Sequence, residues 1–150
     1  MKQTRHLLIA LALGTMLTSC GASVSTATVT GPAAYVDPYI GSGGHGHVFV
    51  GASVPFGAIQ AGPQNIHKGW DWCSGYHHSD SIVIGFAHTH LSGTGCTDMG
   101  DVQIMPYTGE LRSKRGRQED IGGSCSSYYS HDNESVSPGY YSLKMDNGVR

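Results

Sequence analysis

Seven of the nine histidines fall between His45 and His90, as "HGH", a lone His67, "HH" and "HTH". Two tryptophans and a cysteine join them in "GWDWCSGYHHSDSIVIGFAHTHLSGTG", Gly69 to Gly95. Three chemistries suit such a stretch: a metal centre, a sugar pocket, or a core built from unusual residues. Histidines at i and i+2 on a strand, such as His88 and His90, can ligate zinc, which binds neutral imidazole nitrogen well. A zinc enzyme also needs a third ligand, and the nearby Asp71, Asp80, Asp98 and Asp101 fall on no recognised metal-ligand spacing.

The "GWDWCSGYH" segment suits a carbohydrate better. Aromatic faces stack on the apolar faces of pyranose rings, while Asp and His supply acceptors and donors for the hydroxyls. If the segment is extended, Trp70 and Trp72 share one side and Asp71 takes the other, unless Gly69 and Gly75 bend the chain. The competing expectation is that one or both tryptophans belong to the core. Other chemistries find less support. "DPYIGSGGHGHVFVGASVPFG" holds no P-loop lysine pattern and no dinucleotide fingerprint. Ser92 lacks the strained elbow of a hydrolase nucleophile. Glycoside hydrolysis needs an acid and a base, usually two carboxylates. The three glutamates, Glu110, Glu119 and Glu134, fall in segments that read as loops, so no pair is assembled.

Short strands must position these groups, since glycine is abundant and long helical periodicity is missing. "SIVIGFAHTHL" alternates Ile82, Ile84, Phe86, His88 and His90 on one face with Val83, Gly85, Ala87, Thr89 and Leu91 on the other. Both faces are apolar at its start, which predicts a buried strand with His88 and His90 emerging at its end. "DVQIMPY" alternates in the same way. "GYYSLKM" sets Tyr141, Leu143 and Met145 against Tyr140, Ser142 and Lys144, and the "DNG" after it is a turn signal. Only two residues follow that turn, so the chain is expected to be cut within a hairpin.

Charge is sparse, with a formal net of -2, so no electrostatic footprint for nucleic acid exists. The basic run "RSKRGR", Arg112 to Arg117, lies among Gly and Ser and reads as a solvated loop. Lys2 and Arg5 precede an apolar run too short to span a bilayer and then "LTSC", the form of an export signal with a bacterial lipobox. The expectation is a signal peptide over residues 1–20, lipidation of Cys20, a flexible tether over 21–34 and one domain over 35–150. Cys73, Cys96 and Cys125 remain, an odd number, so at most one disulfide can form among them.

In sum, "VDPYIGSGGHGHVFVGASVPFGAIQAGP", "GWDWCSGYHHSDSIVIGFAHTHLSGTGCTDMGDVQIMP" and "SHDNESVSPGYYSLKMDNG" resemble the N-terminal domain of glycoside hydrolase family 92, the calcium-dependent exo-acting α-mannosidases. The resemblance implies an all-β fold, an N-terminal β-sandwich that is incomplete here. In the family an (α/α)6 barrel follows, bearing the catalytic acid and base and the calcium ligands. It implies removal of terminal mannose, on α-1,2 links first, from N-glycans or mannans, by single displacement with inversion. Trp70, Asp71 and Trp72 would contact the sugar, with His88, His90, His45 and His47 as further cleft residues. No catalytic residue and no metal ligand is expected in these 150 residues, and the fragment alone is expected to be inactive. A lone envelope carbohydrate-binding module is the alternative, and a histidine-rich zinc enzyme a more distant one. The lipid anchor would place the protein in a Gram-negative envelope, facing the periplasm or the outside.

Overall fold

The apolar run before the "HTH" histidines becomes the central strand of the main sheet. In a computed structural model, residues 28–53, 56–96, 100–110, 112 and 125–150 are described. The export signal, Cys20, the first part of the tether, Asp98, Glu119 and most of the basic run lie outside them. Among these residues there are six strands: β1 (Gly62–Asn65), β2 (Ile82–Ala87), β3 (Gln103–Ile104), β4 (Ser127–Tyr128), β5 (Glu134–Ser137) and β6 (Tyr140–Leu143). The remaining regular elements are 3₁₀ turns at Gly31–Tyr35, Trp70–Trp72 and His131–Asn133. The fold is all-β, as the residue pattern implies.

β2 pairs antiparallel with β1 along one edge, and with β3 and β4 along the other. Ala87 faces Gly62 on one side and Gln103 on the other, and Val83 likewise lies between Asn65 and Ser127. β1 can therefore carry Pro63, whose missing N–H is tolerated at a sheet edge. β5 and β6 form a separate antiparallel hairpin with Ser137 opposite Tyr140. Val83 of β2, Tyr129, Leu143 of β6 and Met145 form the buried cluster, with Phe86, Met105 and Tyr141 packed on it. The core thus lies between the main sheet and the hairpin. Each fully buried aliphatic side chain there contributes about 1.5–3 kcal/mol.

Strict alternation along β2 is broken once. Gln64 pairs with Gly85 but the next residue, Asn65, pairs with Val83, so Ile84 is an extra residue in a bulge. The bulge shifts the phase of the side chains, and Val83 and Phe86, three residues apart, reach the same cluster. Gly85 fits this kink with φ 147°, and a Cβ there would lie 2.6 Å from the Gln103 amide nitrogen. The alternation in "GYYSLKM" holds: Leu143 and Met145 are buried and Lys144 is exposed. The "DNG" segment also turns as expected, with Gly148 N–H donating to Met145 O at 3.0 Å.

Candidate functional site

The loop from Gly69 to Asp80 is clamped to the sheet by two buried polar residues. Asn65, at the end of β1, donates from its amide to Ile82 O at 2.8 Å and accepts from His77 N–H at 2.8 Å. Asp80, at the other end of the loop, accepts from Ser81 N–H and Ile82 N–H through one carboxylate oxygen. Its second oxygen accepts from Trp72 Nε1–H at 2.8 Å and pairs with Lys68 Nζ at 3.0 Å. A buried carboxylate is costly unless it is paired and hydrogen-bonded, and Asp80 meets both conditions.

Between these clamps the chain makes a 3₁₀ turn over Trp70–Trp72, entered through Gly69 at φ 134°. The turn separates the two tryptophans that an extended chain would align. Trp72 faces inward, stacked on His77 with centroids 4.3 Å apart. Trp70 faces outward and is 58% exposed. The Cys73 thiol, buried behind the turn, donates to Thr94 O at 2.8 Å, and Cys73, Cys96 and Cys125 are all free thiols.

The "HGH" loop comes to the outward side. His45 Nδ1 lies 2.6 Å from Asp71 Oδ1, and His47 packs edge-on against Trp70 with centroids 4.2 Å apart. His47 has φ 55°, in the left-handed region that non-glycine residues seldom occupy. Its carbonyl accepts from Ser74 Oγ–H at 2.6 Å and Gly93 N–H at 2.7 Å, which fixes that conformation. The residue between the histidines must be glycine, because a Cβ on Gly46 would stand 2.1 Å from Gly41 O. His47 Nε2 is buried without a hydrogen-bond partner, 3.5 Å from Asp71 Oδ1. At that distance it adds attraction to Asp71 only when the ring is protonated. The hydrogen bond from His45 is the main cause that holds the Asp71 carboxyl below the usual carboxylate range.

His45, His47, Trp70 and Asp71 are thus gathered into one surface: an exposed indole beside an ionised carboxylate whose orientation an imidazole sets. Trp72 supports it from behind. His88 and His90 take other places. His88 Nδ1 contacts Val102 O at 2.9 Å. His90 is buried at 4% exposure and stacks on Phe49 at 5.4 Å. Its Nδ1 lies 2.7 Å from Gln60 O and its Nε2 3.1 Å from the Gln64 side-chain amide. Burial lowers the His90 pKa, and the hydrogen bond to Gln60 O works against that shift.

A second cluster escaped the sequence reading, which put Glu134 in a loop. Glu134 is instead the first residue of β5, with its side chain fully buried. Tyr141 O–H donates to Glu134 Oε1 at 2.6 Å, Tyr76 O–H to Oε2 at 3.1 Å, and His131 Nδ1 lies 2.7 Å from Oε2. Burial is the main cause that raises the Tyr76 and Tyr141 hydroxyls far above the ordinary tyrosine range, so both stay protonated and donate. The sequence signal was there in "HDNE": a short turn brings residues at i and i+3 together.

Calcium prefers six to eight oxygen ligands. Among the described residues the three-member group able to hold a metal is His78, His131 and Glu134, two nitrogens and one carboxylate. That set does not fit calcium, and no step below passes through that ion.

Residues 35–150 match the family model described as the glycosyl hydrolase family 92 N-terminal domain. The chain is 32% identical over 124 residues to an uncharacterized secreted glycosidase of Arthroderma benhamiae, covering 77% of this chain and 15% of the relative. A family GH92 α-mannosidase from Bacteroides thetaiotaomicron, solved in complex with mannoimidazole, is 43% identical with a TM-score of 0.73, over 77% of this chain and 15% of the other. A GH92 glycosyl hydrolase named ccman5 is 30% identical with a TM-score of 0.64, over 77% of this chain and 14% of the other. The chain spans about 15% of the length of these relatives. Fold, motifs and matches agree, and the chain belongs to glycoside hydrolase family 92, whose N-terminal β domain it carries.

Proposed function

We propose that residues 35–150 are the sugar-facing N-terminal domain of an inverting, exo-acting α-mannosidase that releases terminal mannose from N-glycans or mannans, with α-1,2 as the leading linkage. The observation that carries this reading is the Trp70–Asp71 surface, an exposed ring next to a carboxylate oriented by His45. The indole offers a stacking face to the apolar side of a pyranose, and Asp71 accepts from its hydroxyls. The relative solved with mannoimidazole supports the choice of sugar. Trp72, locked to Asp80 and His77, holds the turn that presents Trp70.

Inverting hydrolysis needs a general acid and a general base set apart by a water. Two carboxylates of the described residues are held in structural roles, Asp80 by Lys68 and Trp72 and Glu134 by two tyrosines. We place the acid, the base and the calcium site in a further, helical domain of the longer protein, as the family resemblance implies. Residues 1–150 alone bind mannosides weakly and do not hydrolyse them. The protein is an envelope lipoprotein anchored through Cys20, a reading in keeping with the secreted relative.

The test is hydrolysis of an aryl α-mannoside by the full-length protein, with the anomer of the first product followed by NMR. Release of β-mannose, lost in a Trp70→Ala variant that folds normally, is the expected result. Mannoside binding without turnover by the full-length protein would favour a binding module instead, and turnover by residues 1–150 alone would overturn the division of labour.

A further inference from the structure

We propose that His78, His131 and Glu134 form a zinc-binding site that staples the loop after Tyr76 to the start of the β5–β6 hairpin. One ligand atom from each of the three lies within 4.8 Å of the others. Two imidazoles and a carboxylate are a donor set that zinc favours, and the fourth position of its tetrahedron is open for water. His78 is exposed, which provides the entry path, whereas Glu134 is buried and held in place.

The surrounding hydrogen bonds are those a metal site requires. Tyr76 O–H donates to Glu134 Oε2 at 3.1 Å, so its oxygen can accept the Nδ1–H of His78, 3.2 Å away. In that tautomer the lone pair of His78 is on Nε2. Tyr141 O–H, donated to Glu134 Oε1, orients the carboxylate. Partners of this kind set ligand direction in known metal sites. His131 Nδ1 and Glu134 Oε2 are 2.7 Å apart, the span of a shared proton. Zinc bonds of about 2.0–2.1 Å separate adjacent ligands by roughly 3.3 Å. The dication takes the proton's place after a small opening, and rotation of the exposed His78 side chain closes the third side.

Charge points the same way. Among the described residues the side chain paired with the buried Glu134 carboxylate as a cation is His131, and only when that ring is protonated. A buried carboxylate calls for a fuller counter-charge than that, and a divalent cation supplies it. The histidines of "HGH" and "HTH" take no part.

The full-length protein, stripped with a chelator and dialysed, is titrated with zinc against a chromophoric competitor, beside His78→Ala, His131→Ala and the surface control His67→Ala. Wild type and the control should hold one more equivalent of zinc than His78→Ala and His131→Ala, or bind that equivalent at least tenfold more tightly. Cobalt(II) should give tetrahedral visible bands in wild type that His78→Ala loses, and zinc should raise the unfolding midpoint of wild type and of the control but not of the two site variants. Because His78 is exposed, its variant keeps the test valid if His131→Ala misfolds. Equal zinc stoichiometry and affinity in wild type and His78→Ala would overturn the proposal.

Discussion

His45 Nδ1 and Asp71 Oδ1 lie 2.6 Å apart, although the two residues are 26 positions apart in sequence. A charge-assisted contact between two loops fixes which way the carboxylate faces. Replacing Asp71 with Asn keeps the shape and removes the charge. A carboxylate accepts from sugar hydroxyls more strongly than a neutral amide does, so kcat/KM of the full-length enzyme on an α-mannoside should fall by roughly tenfold or more. Steady-state kinetics measure it, with the unfolding midpoint as the control for structure.

The two tryptophans should separate cleanly under mutation. Trp72→Phe removes the donor to the buried Asp80 and should cost roughly 1.5–3 kcal/mol of stability in urea unfolding. Trp70→Ala removes a mostly exposed ring and should leave stability within about 0.5 kcal/mol of wild type while weakening the sugar.

His90 gives the fold a dependence on pH. Its folded pKa is lowered by burial, so between the folded and the unfolded values the unfolded ring holds a proton that the folded ring refuses. The contribution of His90 is complete above the unfolded value of about 6.5 and is lost as the pH falls through the folded one. Urea midpoints compared between wild type and His90→Gln should show a steeper acid-side loss in wild type.

Gly46→Ala tests the close approach of the "HGH" loop to Gly41. The added Cβ meets a backbone oxygen that cannot rotate away, and overpacking of this sort costs about 1–3 kcal/mol. Because the displaced loop carries His45 and His47, mannoside binding should weaken as well. Gly85→Ala, at the β2 bulge, should lower stability with little effect on the sugar.

Much of the fold could be read from residue order, where the deciding interaction is local. Leu143 and Met145 point inward and Lys144 outward, as a two-residue period requires, and "DNG" makes its turn. The bulge at Ile84 could not be read, because it depends on how β1 pairs with β2. Alternation alone therefore assigns Phe86 to the wrong face relative to Val83. At the candidate site, Trp70 and Asp71 were legible as sugar-binding types. Their separation from Trp72 was not, since the 3₁₀ turn is fixed by Asp80, eight residues beyond Trp72. Glu134 was missed in part for a related reason: Tyr76 reaches it only when the loop meets the hairpin, whereas His131 and Tyr141 come from its own turn and hairpin.

The central claim is that Trp70 and Asp71 touch the sugar. Calorimetric titration of the full-length protein with mannoimidazole, for wild type, Trp70→Ala and Asp71→Asn, tests it most directly. At least tenfold weaker binding in each variant, with an unchanged unfolding midpoint, is the expected result. Wild-type affinity in both variants would contradict it and place the sugar elsewhere.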